Sequence, residues 1–305
     1  MSKYHGKYQK PSRPRPFRWL GVVCSLLALV FAIFVGEFLY GALKARNASR
    51  QAIQTYVTPA PSAAASEPET ASTAEDLHLE TTAPQEEAAP MVTVPETTEP
   101  ETTVPETTVP TEPPRFPTID FVGLREKNTD VVGWIQIPAL ETINYPVVRG
   151  PDNAYYTTRA WNGEESENGA IFLDYQNQGD FSQVHNILYG HCMKDGTMFQ
   201  SLGKWEGPEF FKNNDKTVLL YLPGETRVYE IFAVERVDAL NDRVYKTDYI
   251  ADETWEAALS ETHQKSQHGA DMRLTARAEV LTLSTCVGDM SRLVVHAVCV
   301  ERVPL

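Results

Sequence analysis

Hydrophobic positions are laid out along this chain in three unlike ways. From Leu20 to Gly36 the string LGVVCSLLALVFAIFVG carries no charge. Extended through Tyr40 at 1.5 Å per residue, it predicts a helix able to span a hydrocarbon core of roughly 30 Å. Lys3, Lys7, Lys10, Arg13, Arg15 and Arg18 precede it, with no acid among residues 1–18. That asymmetry predicts a cytoplasmic N-terminus, an anchor over residues 19–40 and export of everything after it, a single-pass cell-membrane protein with an extracellular domain. A cleaved signal peptide is the alternative, but the run exceeds the usual h-region and no A-x-A site follows it closely. Cys24, inside the run, reads as a small apolar filler.

Residues 41–117 lose the hydrophobic pattern. They hold more than half of the 21 prolines, a near-repeat VPETTEPETTVPETTVPTEP over Val94–Pro113, and no aromatic residue between Val57 and Arg115. Such a segment cannot bury enough apolar surface to offset the entropy of ordering, which predicts a disordered, extended stalk.

From Thr118 to Leu305 the pattern becomes globular and mainly β. A short helix is predicted over Ile119–Lys127, capped by Thr118. Strands are predicted at Val131–Ile137, Ala170–Asp174, Asn186–Tyr189, Thr217–Leu222, Val228–Val234, Val280–Cys286 and Leu293–Val300, short β-branched or aromatic runs bounded by turn residues. Several are apolar on both faces, as in a closed barrel covered by helices and loops. Two helical interruptions are predicted, Met198–Phe211 and Asp252–His263; the second opens on Asp252 as N-cap and places Trp255 and Leu259 four residues apart.

Composition narrows the function classes. Forty-one acidic against 27 basic residues, a net charge of -14, do not suit a nucleic-acid binder, whose affinity rests on clustered Lys and Arg. Cys24, Cys192, Cys286 and Cys299 stand at wide, unlike spacings that form neither a disulfide framework nor a CxxC metal site. No ligand cluster calls for a metal or organic cofactor.

Chemistry concentrates in two places. Cys286 ends the apolar run LTLSTC, and Arg292 opens the next run after the loop VGDMS. A five-residue connection between two strands predicts a hairpin in which Arg292 faces Cys286. A guanidinium there brings positive charge to the sulfur and a fork of donors able to hold an oxyanion. A surface Arg beside a buried thiol would give the same string. The second place is NILYGHCMKDGTMF, where His191 follows a strand and a glycine just as the chain leaves the sheet, a position from which catalytic groups project. His296 alternates with Val294 and Val298 and reads as a sheet residue. Cys192 lacks a local cation, and Cys299 lies within an apolar strand.

TLSTC followed by R-x-V-V-x-A, with YGH-x-MKDG-x-MF upstream, resembles the sortases, cysteine transpeptidases of bacterial cell surfaces, and most of all class B. The resemblance runs from Ile119 to Val300, taking in IDFVGLREKNTDVVGWIQIP, NYPVVRGPDNAYY and GAIFLDYQN, and a helix-bearing insertion, Asp238–Met272, typical of that class. It implies an eight-stranded sortase-type β-barrel behind an N-terminal anchor, with catalytic roles falling on His191, Cys286 and Arg292. Ser284, Tyr189 and Tyr245 correspond to groove positions. Cys192 and Val287 depart from the polar, basic or acidic residues of many relatives, and the loop from Cys286 to Arg292 is shorter than in some; both bear on substrate preference.

The implied activity is cleavage of a C-terminal sorting motif at its threonine carbonyl, a thioester on Cys286, and transfer to an amine of a cell-wall precursor or a pilin. The implied partners are exported proteins bearing that motif, the amine donor and the membrane. Relatives suggest an N-P-x-T-N-like or (S/N)-P-x-T-G-like pentapeptide. An L,D-transpeptidase would show an S-H-G-C string, which is absent. A stalked adhesin would leave LSTC and Arg292 without a role.

Overall fold

The computed structural model describes residues 18–60, 115–269, 272–286 and 290–305. The basic segment before Arg18 and residues 61–114 of the expected stalk lie outside that description. Helix α1 (Arg18–Tyr56) covers the apolar run and exposes Leu26, Leu27, Val30, Phe31 and Phe34 along it. Among the described residues no helix is long and apolar enough to cross a membrane.

The start of the stalk needs correction. Instead of ending at Tyr40, α1 continues to Tyr56, so residues 41–56, expected to be extended, are helical. Strand β1 (Val57–Thr58) then pairs antiparallel with β2 (Thr118–Ile119), Val57 opposite Ile119. The cause is tertiary. Ala52 is buried, the Trp161 indole N–H donates to the Ala48 carbonyl at 3.4 Å, and its ring meets Tyr56 edge-on at 5.9 Å. The Lys44–Glu164 pair at 3.0 Å is solvent-exposed and adds little.

Pairing of Thr118–Ile119 also moves the next helix. Helix α2 (Phe121–Lys127) starts two residues later than expected and is capped by Asp120, not Thr118, whose carboxylate accepts from the Gly123 N–H at 2.9 Å. It seats Phe121 and Leu124 in the protein interior.

Eight strands then close a barrel: β3 (Val131–Gln136), β4 (Asn144–Val148), β5 (Ile171–Leu173), β6 (His185–Tyr189), β7 (Thr217–Leu222), β8 (Glu225–Asp238), β9 (Val280–Cys286) and β10 (Ser291–Pro304). Their order around the barrel is β10-β8-β7-β3-β4-β5-β6-β9. Pairing is antiparallel except for β4 with β5 and β6 with β9. The interior is a continuous apolar core that includes Ile135, Leu188, Phe199, Trp205, Leu220, Ile231, Leu281, Leu283 and Val295.

β4 was not expected from the sequence, because Pro146 in NYPVV argues against a strand. The structure places Pro146 opposite Trp134, before β4 meets β5 at Val147, so the missing N–H leaves no ladder bond unmade on that side. The single helix expected over Met198–Phe211 is two pieces, a 3-10 turn at Gln200–Glu206 and α3 (Pro208–Asn213). Gly207 is extended there, and Pro208 opens the second piece at its first turn.

Between β8 and β9 the insertion carries α4 (Asp242–Tyr245) and α5 (Glu253–Lys265). Asp252 caps α5 as expected, accepting from the N–H groups of Thr254 and Trp255. Trp255, Ala258 and Leu259 pack on Phe232, Val280 and Val298, so the insertion covers one outer face of the barrel. That covered face borders the cleft described below.

Docking of α1 yields a direct check. Replacing Trp161 with Ala removes the indole contacts to Ala48 and Tyr56. We expect amide hydrogen exchange over residues 48–58 to accelerate at least about tenfold, with exchange in β9 and β10 unchanged. Unchanged exchange over 48–58 would mean that α1 is held by other contacts.

Candidate active site

Strand β9 organises the site through alternation. Leu281 and Leu283 point into the barrel core. With a period of two, Thr282, Ser284 and Cys286 share the opposite, outer face. On one side β9 pairs with β10, Cys286 opposite Arg292 and Ser284 opposite Val294. The expected adjacency of the thiol and the guanidinium is thus a ladder position, although residues 287–289 of the connecting loop lie outside the description. On the other side β9 runs parallel to β6, Tyr189 beside Ser284. The Gly190 N–H continues that ladder to the Ser284 carbonyl at 3.2 Å, which carries His191 to the level of Cys286.

Two glycines make room for this. A Cβ on Gly190 would lie 2.5 Å from Cδ1 of Ile171 and 2.7 Å from the Phe199 ring, so no larger residue fits without displacing the core. Gly169, at φ +60°, brings the chain under His191; a Cβ there would sit 2.6 Å from the Tyr156 carbonyl and 3.0 Å from the imidazole. The Nε2–H of His191 donates to the Thr157 carbonyl at 2.7 Å. A carbonyl only accepts, so this bond places a proton on Nε2 and leaves Nδ1 as the ring nitrogen that can take up or release one.

His191, Cys286, Arg292, Ser284, Tyr189 and Tyr245 all line one cleft of about 490 Å³. The Tyr245 hydroxyl lies 3.0 Å from Ser284 Oγ, and its ring stacks on Tyr189 with centroids 6.1 Å apart. Burial raises the pKa of the Tyr245 phenol, while its bond to Ser284 and the charge of Arg292 pull the other way. Tyr189 donates to Asp174 Oδ2 at 2.9 Å, and burial together with that carboxylate keeps the phenol protonated.

Asn153 and Asp174 were missed at the sequence level. Both line the cleft, and the Asn153 amide donates to Asp174 Oδ2 at 2.8 Å. Their only signal was membership of the strings GPDNAYY and GAIFLDYQN, which carry no local chemistry. Cys192 pairs with Met198 in an isolated bridge, is exposed and does not line the cleft. Its thiol is pushed up first by partial burial and then by nearby Cys286, which suits a bystander. Cys299 is half-buried against the core.

Crowding at Gly190 predicts that Gly190→Ala lowers stability by about 1–3 kcal/mol in urea denaturation and shifts the His191 ring resonances, because the new methyl must push Ile171 or Phe199 aside. An unperturbed His191 in a variant of native stability would show that the glycine is not needed there.

The sortase domain family model matches residues 135–300. The chain is 34% identical over 165 residues to sortase B of Listeria monocytogenes, covering 53% of this chain and 65% of that protein, just under two thirds of its length. Among solved structures, Clostridium perfringens sortase B is similar with a TM-score of 0.56 and 32% identity, over 60% of this chain and all of that one. A Staphylococcus aureus sortase B–substrate complex matches with a TM-score of 0.55 and 29% identity, over 59% of this chain and 84% of that one.

Proposed function

The chain belongs to the sortase family, and from that premise we propose that it is a class B cysteine transpeptidase acting on exported proteins at the cell surface. The observation that carries the reading is the pairing of Cys286 with Arg292 across β9 and β10, with His191 lining the same cleft just past the end of the β6–β9 ladder.

In this mechanism Cys286 gives its thiol proton to His191 Nδ1, and Sγ attacks the threonine carbonyl of a C-terminal sorting motif. The carbonyl π pair moves to oxygen, and the Arg292 guanidinium stabilises the resulting oxyanion. Collapse re-forms the C=O bond and breaks the C–N bond. The departing amine takes its proton from His191 Nδ1, the nitrogen left available by the bond from Nε2 to Thr157. The product is a thioester on Cys286. An amine of a wall precursor or a pilin then attacks the thioester, giving its proton to the neutral Nδ1; the C–S bond breaks, and Nδ1 returns that proton to the departing Cys286 sulfur. Ser284, Tyr189 and Tyr245 form the groove wall that receives the motif, with Asp174 and Asn153 tied to Tyr189 by hydrogen bonds.

For location, we propose that the apolar part of α1 anchors the protein with its basic N-terminus in the cytoplasm. The support is the uncharged run Leu20–Gly36, its basic flank and its exposed large side chains.

The test is mass spectrometry of the full chain in detergent with a panel of sorting peptides. Wild type should gain the mass of the acyl fragment, and Cys286→Ala should gain none. Arg292→Ala should lower kcat/KM by about 10²–10³-fold, the scale of losing one oxyanion donor. A thioester adduct surviving in Cys286→Ala would remove the nucleophile assigned here.

A further inference from the structure

The outer face that carries Ser284 and Cys286 also carries a buried polar chain just below them. His185 Nδ1 lies 2.7 Å from the Lys246 carbonyl, and His185 Nε2 lies 2.8 Å from Thr282 Oγ1. Thr282 Oγ1 lies 2.9 Å from His296 Nδ1, and His296 Nε2 lies 3.1 Å from Glu235 Oε1. Both imidazoles, the threonine and the carboxylate are buried. Glu235 in turn takes both its bonds to α4 from the Arg243 guanidinium, at 2.7 and 2.9 Å.

Counting hydrogens exposes an imbalance. Four contacts need four hydrogens. Two neutral imidazoles and one hydroxyl supply three, and the carbonyl and carboxylate at the ends supply none. No choice of tautomer changes the total. With three, one contact sets acceptor against acceptor among buried groups, a costly arrangement.

The ends of the chain matter for the cleft. Arg243 and the Lys246 carbonyl flank Tyr245 on both sides, and Tyr245 stands against Ser284 in the cleft wall. We propose that Glu235 and His296 are positioning residues for the cleft: the chain holds one proton beyond neutral imidazoles and an ionised carboxylate, shared between His296 and Glu235, and this pins the segment that presents Tyr245.

The groups around the chain favour that end for the proton. Burial pushes His185 down to about 4, and the charges nearest it are the cationic Arg243 and His296, with Tyr249 and Trp255 against its ring. Burial pushes His296 below the usual imidazole value as well; the bond to the Glu235 carboxylate and its charge oppose that shift, and Arg243 adds to it. From α5, Glu261 lies 3.5 Å from Arg243 Nε and Thr262 accepts from the same guanidinium, partly balancing its charge. The Lys246 ammonium is directed outward to Asp248, 3.8 Å away.

Two consequences are measurable on the full chain. Histidine-selective ¹⁵N NMR should show one buried imidazole protonated on both nitrogens at pH 7, coupled across a hydrogen bond to a carboxylate, and one buried imidazole neutral. As pH rises and the extra proton leaves, hydrogen exchange at the Val244 and Tyr245 amides should accelerate about tenfold. KM for a sorting peptide should rise with it by a similar factor, with kcat tracking only the catalytic pair. Glu235→Gln supplies the fourth hydrogen from an uncharged amide at every pH. That variant should lose the alkaline rise in exchange and in KM, while loss of the Arg243 ion pair offsets both by a constant factor.

The kinetic arm rests on the sortase reading, whereas the NMR and exchange arms need no turnover, so failure of one is distinguishable from failure of the other. Two singly protonated buried imidazoles at pH 7 would overturn the proposal, and so would an alkaline rise in exchange that persists in Glu235→Gln. If the variant does not fold, the wild-type NMR spectrum decides alone.

Discussion

The register of β9 between its two neighbours is the constraint on which the site depends. Antiparallel pairing to β10 sets Cys286 against Arg292, and parallel pairing to β6 sets Tyr189 against Ser284, with His191 following two residues past the end of β6. A slip of one residue on either side would turn Cys286 toward the core and bring Leu283 out. Register is held by the apolar alternation itself: Leu281, Leu283, Leu293 and Val295 all enter one core, and none can face water without losing roughly 1.5–3 kcal/mol of burial. The core therefore specifies the chemistry, although no catalytic group is part of it.

The outer face of the same strands solves a different problem. Below the cleft it is covered by the insertion, partly through Trp255, Ala258 and Leu259 and partly through the polar chain from His185 to Arg243. An apolar cover would be cheaper, because buried ion pairs seldom repay their desolvation. What polar groups add is direction: an Arg bound at two oxygens and a carbonyl bound to an imidazole leave the Tyr245 segment few alternative positions. The covering segment thereby becomes one wall of the cleft.

Much of this could be read in the sequence, and the limits have physical causes. The β9–β10 hairpin was legible because its loop is short and both strands are strongly patterned, so Cys286 and Arg292 were placed together by spacing alone. His191 was singled out by its strand-glycine setting, but its approach to Cys286 runs through a parallel pair between remote segments, which spacing cannot encode; there the resemblance supplied the link. β4 escaped notice because Pro146 is tolerated only where β4 has no second neighbour. The helix over 41–56 escaped notice because its stability comes from Trp161 and α2, far along the chain, rather than from its own pattern. His296 was read as a sheet residue, which it is, but the partners that give it further meaning lie on β9 and β8.

The proposed mechanism requires one thiol, one imidazole and one guanidinium to converge on a single reacting carbonyl. Its most direct test is a structure of the protein with a sorting-peptide analogue trapped covalently on Cys286. The oxygen of the trapped carbonyl should lie within hydrogen-bonding distance of Arg292, with Nδ1 of His191 facing the position of the departing nitrogen. A trapped oxygen turned away from Arg292, with the His191 ring on neither side of the scissile bond, would contradict it.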